Sequence, residues 1–343
     1  MPRLYSNTTS PSGIAQYGFN RETGSIYFVR QSSIGTGAAQ LTTDRTGTFA
    51  YVADPAANSV HRFLIGPNGA LSFIGSVTAA GATKPVSHPT RDLLYVAGNT
   101  AASAIHSFSI NTADGSLTAL GATAAGTANF STNLTVSNGF VYNPTEASQA
   151  IEFYPIGANG ILGGRTSFAM AITGVCTNPC EPRDAAVSPD GRFLYSAQFN
   201  GAAARAYALN TSTGAIGPAL LSDLTTGTAA QNIDVNSSGT MLAVSRATTA
   251  PAVHTYNIDP STGTLTAGTV LTIPTGTFPT FVKFDPTGEF LAAAATGSNI
   301  VYVYRIVGGS VLATPVGSAS PGMNVTSVGW TGQRFPLLDP ASP

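Results

Sequence analysis

Short runs of alternating apolar and polar residues follow one another along the chain, and turn sequences rich in Gly, Pro, Asn and Asp separate them. The clearest example spans 182–200, PRDAAVSPDGRFLYSAQFN, where a short apolar strand, a Ser-Pro-Asp-Gly turn and a second strand with a central tyrosine succeed one another. Alternation with a period of two is typical of half-buried β-strands. The pattern therefore predicts an all-β chain built from a repeated strand–turn–strand unit.

Weaker copies of this unit recur at a nearly constant period. The centre of the second strand is found 44 to 53 residues after the previous one, at Tyr5, Tyr51, Tyr95, Tyr142, Tyr195, Ala243 and Ala292. Each period has room for four short antiparallel strands, which matches one blade of a β-propeller. We predict a single seven-bladed β-propeller domain over 1–343, with blades approximately at 42–77, 84–122, 131–168, 182–221, 231–271 and 279–316, and a closing blade made of 324–335 and 3–31.

The closing blade is predicted to combine strands from both ends of the chain. VTSVGW, which ends at Trp330, has the pattern of an innermost strand, and RLYSN, SGIAQYGFN and SIYFVRQ supply the three strands that this blade still needs. Pairing the two ends within one sheet hides the open edge that an incomplete ring would expose. Trp330 is therefore expected in the core of the closing blade.

Composition limits the classes of partner. Only 9% of the residues are charged and the formal net charge is -1, so the chain lacks the clustered Lys and Arg that bind nucleic acid or anionic membranes. No apolar stretch reaches the roughly 20 residues of a membrane span. The chain also lacks a glycine-rich phosphate loop and a His pair with metal-ligand spacing. We expect a small ligand or a protein as the partner, with no nucleic acid, no membrane span and no cofactor or metal.

Two cysteines, Cys176 and Cys180, lie close enough in GVCTNPCEP to form a small disulfide loop; the alternative is two free thiols. A disulfide is typical of an oxidising compartment. We therefore expect an extracellular or periplasmic protein, although the start MPRLYSNTTS has no apolar core of a signal peptide.

The innermost strands of a propeller line its central channel, so ligand contacts are expected there. Both lysines of the chain, together with Arg183, could form a cationic pocket for a carboxylate or a phosphate. Alternatively, Arg183 pairs with Asp184 or Asp234 and Lys283 spans the neighbouring inner strand, which would only balance buried charges. The polar residues predicted on these strands are Gln40, Lys84, Asn133, Arg183, Asp184, Asn232, Asp234 and Lys283.

The units SPDGRFLYSAQFNGAAARAYALNTSTGAI and FDPTGEFLAAAATGSNIVYVYRI resemble blades of the lactonase-type seven-bladed propellers, which include bacterial 6-phosphogluconolactonases and fungal muconate lactonizing enzymes. The resemblance implies a pocket lined by Arg and His from a Pro-Arg-His sequence and by Glu from an Asn-Glu pair. Arg183 matches this pattern, but Asp184 stands at the His position and Gln198-Phe199 replace Asn-Glu. Asn133 stands where the family has a further His.

These departures fall on the groups that the resemblance implies for proton transfer. We therefore predict a non-catalytic or degenerate lactonase-like propeller, an extracellular scaffold that binds a partner or assembles at a surface. The alternative is a lactone hydrolase at the channel mouth, in which Asp184 or Asp234 activates water and Arg183 holds the oxyanion. In the predicted site Arg183 and Asp184 are the catalytic candidates, and the ligand contacts are Lys84, Asn133, Asn232, Asp234 and Lys283.

Overall fold

Strands are the regular elements of this chain, and no helix occurs among the residues described. The computed structural model describes residues 3–9, 11–35, 37–100, 104–125, 133–137, 139–170, 181–200, 203–225, 229–247, 252–273 and 278–331. They form seven antiparallel sheets arranged as the blades of a propeller, so the predicted all-β, seven-bladed fold is confirmed. Within this described part there is accordingly no helix long and apolar enough to cross a membrane.

In blades 1 to 6 the strands lie side by side in chain order, and in every blade they are named A to D from the channel outwards. The first three blades are blade 1 with β4 (Leu41–Thr43), β5 (Phe49–Asp54), β6 (Ser59–Ile65) and β7 (Leu71–Thr78); blade 2 with β8 (Ala82–Ser87), β9 (Leu93–Gly98), β10 (Ala104–Ile110) and β11 (Leu117–Ala124); and blade 3 with β12 (Thr135–Val136), β13 (Phe140–Thr145), β14 (Ala150–Pro155) and β15 (Thr166–Ala169).

The next three blades follow the same order, and in blade 6 two short strands both pair with strand C. They are blade 4 with β16 (Pro182–Val187), β17 (Phe193–Gln198), β18 (Ala203–Leu209) and β19 (Ile216–Thr225); blade 5 with β20 (Ala230–Val235), β21 (Met241–Arg246), β22 (Ala252–Ile258) and β23 (Leu265–Thr272); and blade 6 with β24 (Pro279–Phe284), β25 (Phe290–Ala295), β26 (Ile300–Val307), β27 (Ser310–Val311) and β28 (Gly317–Ala319).

Blade 7 closes the ring with strands from both ends of the chain, as predicted. Its strand A is β29 (Val325–Thr331), which pairs with β1 (Arg3–Thr9); β2 (Ser12–Phe19) and β3 (Ile26–Ser33) complete the sheet. Trp330 is only 8% exposed, and its indole Nε1 donates a hydrogen bond to the Lys283 carbonyl of blade 6 at 3.1 Å. The indole therefore also links the closing blade to its neighbour.

The turns between strands A and B are held by an aspartate or a similar short polar side chain. In blade 1 the Asp44 carboxylate accepts hydrogen bonds from the backbone N–H groups of Thr48 and Phe49 at 2.8 and 2.7 Å, and Asp285 does the same for Glu289 and Phe290 in blade 6. Both carboxylates are buried. These aspartates cap turns at the end of the ring opposite the start of strand A.

A tyrosine at the centre of strand B links several blades to the next. Its buried hydroxyl donates a hydrogen bond to a glycine carbonyl in the C–D turn of the following blade, at 2.7 to 3.3 Å, in the pairs Tyr5–Gly69, Tyr51–Gly115, Tyr95–Gly160 and Tyr142–Gly214. Two features of this turn, its backbone conformation and its close packing against the preceding blade, each require a glycine. Gly115 has a φ of 69°, and a Cβ there would lie 2.4 Å from Phe49 of the preceding blade.

Tyr195 occupies the same position in blade 4 but makes no such bond. Its hydroxyl is buried and has no hydrogen-bond partner among the described residues, although Gly263 still packs against Phe193 as the other turn glycines pack against their neighbours. Burial raises the pKa of Tyr95 to about 12 and that of Tyr195 further. Both hydroxyls are therefore neutral at physiological pH, and that of Tyr95 donates to the Gly160 carbonyl.

The pair Tyr95→Phe and Tyr195→Phe tests the contribution of the inter-blade hydrogen bond. Tyr95→Phe leaves the Gly160 carbonyl without its donor and is expected to lower the free energy of unfolding by about 1 kcal/mol. Tyr195→Phe removes a hydroxyl that has no partner among the described residues and is expected to be neutral or stabilising. Melting temperatures from calorimetry measure both; equal losses in the two variants would contradict this account.

Candidate active site

The polar residues that face the channel lie at two levels. The pairing of strand A with strand B defines the first level. Each residue at this level pairs with the strand-B residue two places beyond the centre of that strand, as do Lys84, Asp184, Asn232 and Ser327. Each blade contributes one residue at this level, and we call the set the upper ring: Gln40, Lys84, Asn133, Asp184, Asn232, Phe281 and Ser327. The upper ring lies near the start of strand A, at the end of the channel that we call the mouth.

Asp234 and Lys283 belong to the second level. They pair with Ala243 and Ala292, the centres of strand B, and so lie two residues further along strand A than the upper ring. Two residues of a strand span about 7 Å. The Lys283 ammonium is 2.5 Å from the Asp234 carboxylate, so Lys283 spans to the neighbouring inner strand, as one of the sequence alternatives held.

Two contacts of the upper ring cross the channel between blades that are not neighbours. The Lys84 ammonium of blade 2 donates a hydrogen bond to the Asp184 carboxylate of blade 4 at 3.1 Å. The Gln40 side-chain Nε2 of blade 1 donates a hydrogen bond to the side-chain Oδ1 of Asn133 in blade 3 at 3.4 Å. The Lys84–Asp184 contact passes over the inner strand of blade 3, and the Gln40–Asn133 contact passes over the inner strand of blade 2. These contacts therefore bridge the channel just below its mouth.

The Asp184 carboxylate is fully buried and its acceptor sites are occupied. Besides Lys84, it accepts hydrogen bonds from the Asn232 side chain and from the backbone N–H groups of Ala185 and Ile233, the last at 3.3 Å. A general base needs a lone pair that can face water. Asp184 therefore stabilises the ring, and its geometry does not suit the catalytic role predicted from the sequence.

Asn232 and Asp234 act in the same structural way. The Asn232 side-chain oxygen accepts a hydrogen bond from the Val282 N–H at 2.8 Å, and Asp234 accepts one from the Phe284 N–H at 2.8 Å. Strand A is the inner edge of its sheet, so the N–H groups on its channel side, away from strand B, have no strand to pair with. These groups need other acceptors. Side chains of the preceding blade supply these acceptors.

Arg183 does not pair with Asp184 or Asp234, contrary to the other part of that same alternative. Its Nε lies 3.1 Å from Oε1 of Glu146, and its guanidinium stacks 4.4 Å above the Phe199 ring. Successive residues of a strand point to opposite sides, so Arg183 faces blade 3 while Asp184 faces blade 5. The Asn133 side chain of blade 3 also donates a hydrogen bond to the Arg183 carbonyl, at 2.7 Å.

Glu146 is a site residue that the sequence analysis missed. It lies in the turn that follows strand B of blade 3, and its side chain is 20% exposed beside an Arg183 side chain that is 30% exposed. Its Oε1 atom is buried and accepts no hydrogen bond from the described residues. Burial raises the pKa of Glu146, and the Arg183 guanidinium opposes this shift. The sequence PTEAS does place a carboxylate after strand B, but in blade 3, whereas the family resemblance predicted the carboxylate in blade 4, the blade of Arg183.

Cys176 and Cys180 lie outside the described residues. The disulfide between them, and the extracellular or periplasmic location that it would favour, stay predictions.

Comparison with known proteins supports the family resemblance. Residues 218–330 match the family model described as "Lactonase, 7-bladed beta-propeller". A curated protein named 6-phosphogluconolactonase, from Pectobacterium atrosepticum, is 26% identical over 310 residues, which cover 75% of this chain and 90% of that protein. The predicted resemblance to the lactonase-type propellers is confirmed.

Solved structures show the same fold at lower identity. The periplasmic gluconolactonase of Pseudomonas aeruginosa superposes with a TM-score of 0.78 and 18% identity, covering 97% of this chain and 99% of that one. A protein from Lactobacillus plantarum superposes with a TM-score of 0.77 and 17% identity, covering 97% and 100%. At this identity the likeness concerns the fold alone.

The predicted non-catalytic scaffold is wrong, because the related proteins point to a lactonase. That prediction rested on the replacement of the family's His and Glu, on the expected disulfide and on the low surface charge; one part of it was the absence of a carboxylate after strand B in the blade of Arg183. The structure places the Glu146 carboxylate beside Arg183 from the neighbouring blade, so the absence in one blade did not mean an absence at the site. The expectation that any enzymatic activity would be that of a lactonase is supported.

Asp184→Ala tests the structural role of the upper ring. The substitution leaves Lys84 and Asn232 without their acceptor and is expected to lower the free energy of unfolding by about 3–5 kcal/mol. Asp92→Ala removes the exposed partner of Arg45 and serves as the matched control, with an expected loss of about 0–1 kcal/mol. Thermal melts of both variants provide the comparison, and a similar loss in the two would argue against a structural Asp184.

Proposed function

We propose that this lactonase-like seven-bladed propeller hydrolyses a lactone at the channel mouth, with Arg183 and Glu146 as its catalytic pair. The observation that carries the proposal is the Glu146–Arg183 contact of 3.1 Å at the mouth. The Glu146 side chain is 20% exposed and lies beside a guanidinium, so its carboxylate is suited to bind and activate a water molecule at the mouth. The relationship to a 6-phosphogluconolactonase supports the same reaction class.

Hydrolysis of a lactone needs a base for water and a donor for the oxyanion. In the proposed reaction Glu146 takes a proton from water as the water oxygen forms a bond to the lactone carbonyl carbon. The Arg183 guanidinium donates hydrogen bonds to the oxyanion that develops on the carbonyl oxygen. The ring C–O bond then breaks, and Glu146 returns the proton to the ring oxygen. The product is a hydroxy acid, which ionises to its carboxylate at neutral pH.

The orientation of Arg183 favours this role. Stacking on Phe199 and the contact between Nε and Glu146 hold the guanidinium plane, whereas its terminal nitrogens make no hydrogen bond with described residues. Those nitrogens are the donors that a planar carbonyl or carboxylate oxygen needs. A positioned guanidinium loses little freedom when substrate binds, which favours binding of the transition state.

Asp184 stands where the family pattern has a His, and this departure changes which groups transfer protons in the proposed reaction. The resemblance implies a His where Asp184 stands, and Asp184 is committed to the ring. Proton transfer would therefore rest on one carboxylate, Glu146, that both accepts and returns the proton. One carboxylate is enough for this reaction, because the alkoxide that forms when the lactone ring opens needs a single proton.

Arg183→Gln tests the catalytic pair, with Arg165→Gln as the matched control. Arg165 makes a comparable contact of 2.8 Å with the buried Glu152 on strand C, away from the mouth. Arg183→Gln is expected to lower kcat/KM for a lactone by about 10²–10³-fold, the loss typical of removing an oxyanion donor. Arg165→Gln is expected to keep kcat/KM within about twofold. Proton release in a weakly buffered assay on glucono-δ-lactone measures both; an equal effect of the two substitutions would contradict the assignment.

The pH dependence tests Glu146 separately. A base acts only when deprotonated, and burial raises the Glu146 pKa, so kcat/KM should fall with decreasing pH through a value above the usual range of glutamate. In Arg183→Lys the cation is retained and the acid limb should stay near its wild-type position. In Glu146→Gln the residual activity should lose this limb. Persistence of the limb in Glu146→Gln would assign the titration to another group.

A further inference from the structure

The cations at the mouth are matched by anions. Lys84 lies 3.1 Å from Asp184, and Arg183 lies 3.1 Å from Glu146. We count two segments of each blade as the mouth. One runs from the start of strand A to the upper ring, and the other is the end of strand B with the turn that follows it. The charged ones among them are three cations, Lys84, Arg183 and Arg246, and four anions, Asp54, Glu146, Glu181 and Asp184.

The described residues hold nearly all the charge that could reach this site. Before residue 332, no residue outside the described part is Asp, Glu, Lys or Arg. Arg334 and Asp339 are the charged residues beyond that point, and they cancel. Asp54 has His61 as a neighbour at 3.1 Å, which adds a positive charge only when the imidazole is protonated. The mouth therefore offers no excess of positive charge.

This balance bears on the class of lactone. A phosphate monoester carries a charge of about -1.5 to -2 at pH 7 and is usually bound by cations that have no other partner. Releasing Lys84 for a phosphate would leave the fully buried Asp184 carboxylate without its cation, which is strongly unfavourable. Releasing Arg183 from Glu146 would also disturb the proposed catalytic pair.

An uncharged lactone makes no such demand. Its hydroxyl groups need only hydrogen bonds, and the upper ring places amide side chains, among them Gln40 and Asn133, at the floor of the mouth. The lactone carbonyl would meet the Arg183 donors without separating an ion pair.

We propose that the site selects an uncharged sugar lactone over the phosphorylated form of the same lactone. The inference rests on the proposed function and names its substrate class, which differs from the one in the name of the Pectobacterium relative.

The test compares glucono-δ-lactone with 6-phosphoglucono-δ-lactone on the full chain. We expect kcat/KM to be at least about tenfold higher for the uncharged lactone, since tenfold corresponds to one modest charge interaction of about 1.4 kcal/mol. Titration calorimetry with the products, gluconate and 6-phosphogluconate, provides a reading that does not need turnover. We expect 6-phosphogluconate to bind no more tightly than gluconate.

Charge variants examine the cause of the preference. Glu181→Gln removes an anion of the mouth whose contact is the Asn200 side chain at 2.7 Å, and it should raise the relative kcat/KM for the phosphorylated lactone about twofold. Asp184→Asn should raise it further, because it frees Lys84. Glu22→Gln, at a C–D turn on the opposite end of blade 7, changes the net charge equally and should leave the ratio unchanged.

The outcomes separate the two proposals. Faster hydrolysis of the phosphorylated lactone, or tighter binding of 6-phosphogluconate, would overturn the preference and leave the lactonase proposal standing. Binding of gluconate without hydrolysis of either lactone would overturn the lactonase proposal alone. A chain that neither binds the products nor hydrolyses the lactones would overturn both.

Discussion

The fold depends on how each blade is joined to the next. A sheet of four strands has two faces and an inner edge to satisfy, and the repeated contacts in this chain satisfy all three. The strand-B tyrosine crosses to the glycine turn of the following blade, as in Tyr95–Gly160, while the apolar residues around it form the core between two blades. This contact is made by the strand-B tyrosines of four blades, and each of them joins its blade to the next one along the ring.

The same joining logic determines the chemistry of the channel. Inner strands need acceptors for their edge N–H groups, and Asp184, Asn232 and Asp234 provide them from the preceding blade. The two buried carboxylates among them, Asp184 and Asp234, then require cations, which Lys84 and Lys283 supply. Most of the polar residues in the channel are thus used to stabilise the ring. Among the residues that the structure describes, the Arg183 and Glu146 side chains lie at the mouth and pair with each other outside this network.

Much of the site was accessible from the sequence, but not its pairing. The repeat placed Lys84, Arg183 and Asp184 correctly on inner strands, and Asn133 lies just before one, because strand order within a repeat implies distance from the axis. The repeat did not show which face of the sheet each side chain lies on, and therefore which neighbouring blade it contacts. Glu146 was missed for that reason: its carboxylate belongs to one blade and its guanidinium partner to the next.

The sequence by itself determined the seven blades, the position of their turns and the closure by both chain ends. Those features follow from alternation and from turn residues, which act over a few residues along the chain. Tertiary structure decided which charges meet. Lys84 and Asp184 are 100 residues apart in the chain and meet across the channel. Only ring closure sets that distance, and with it the division between residues that stabilise the channel and residues that are left to act at its mouth.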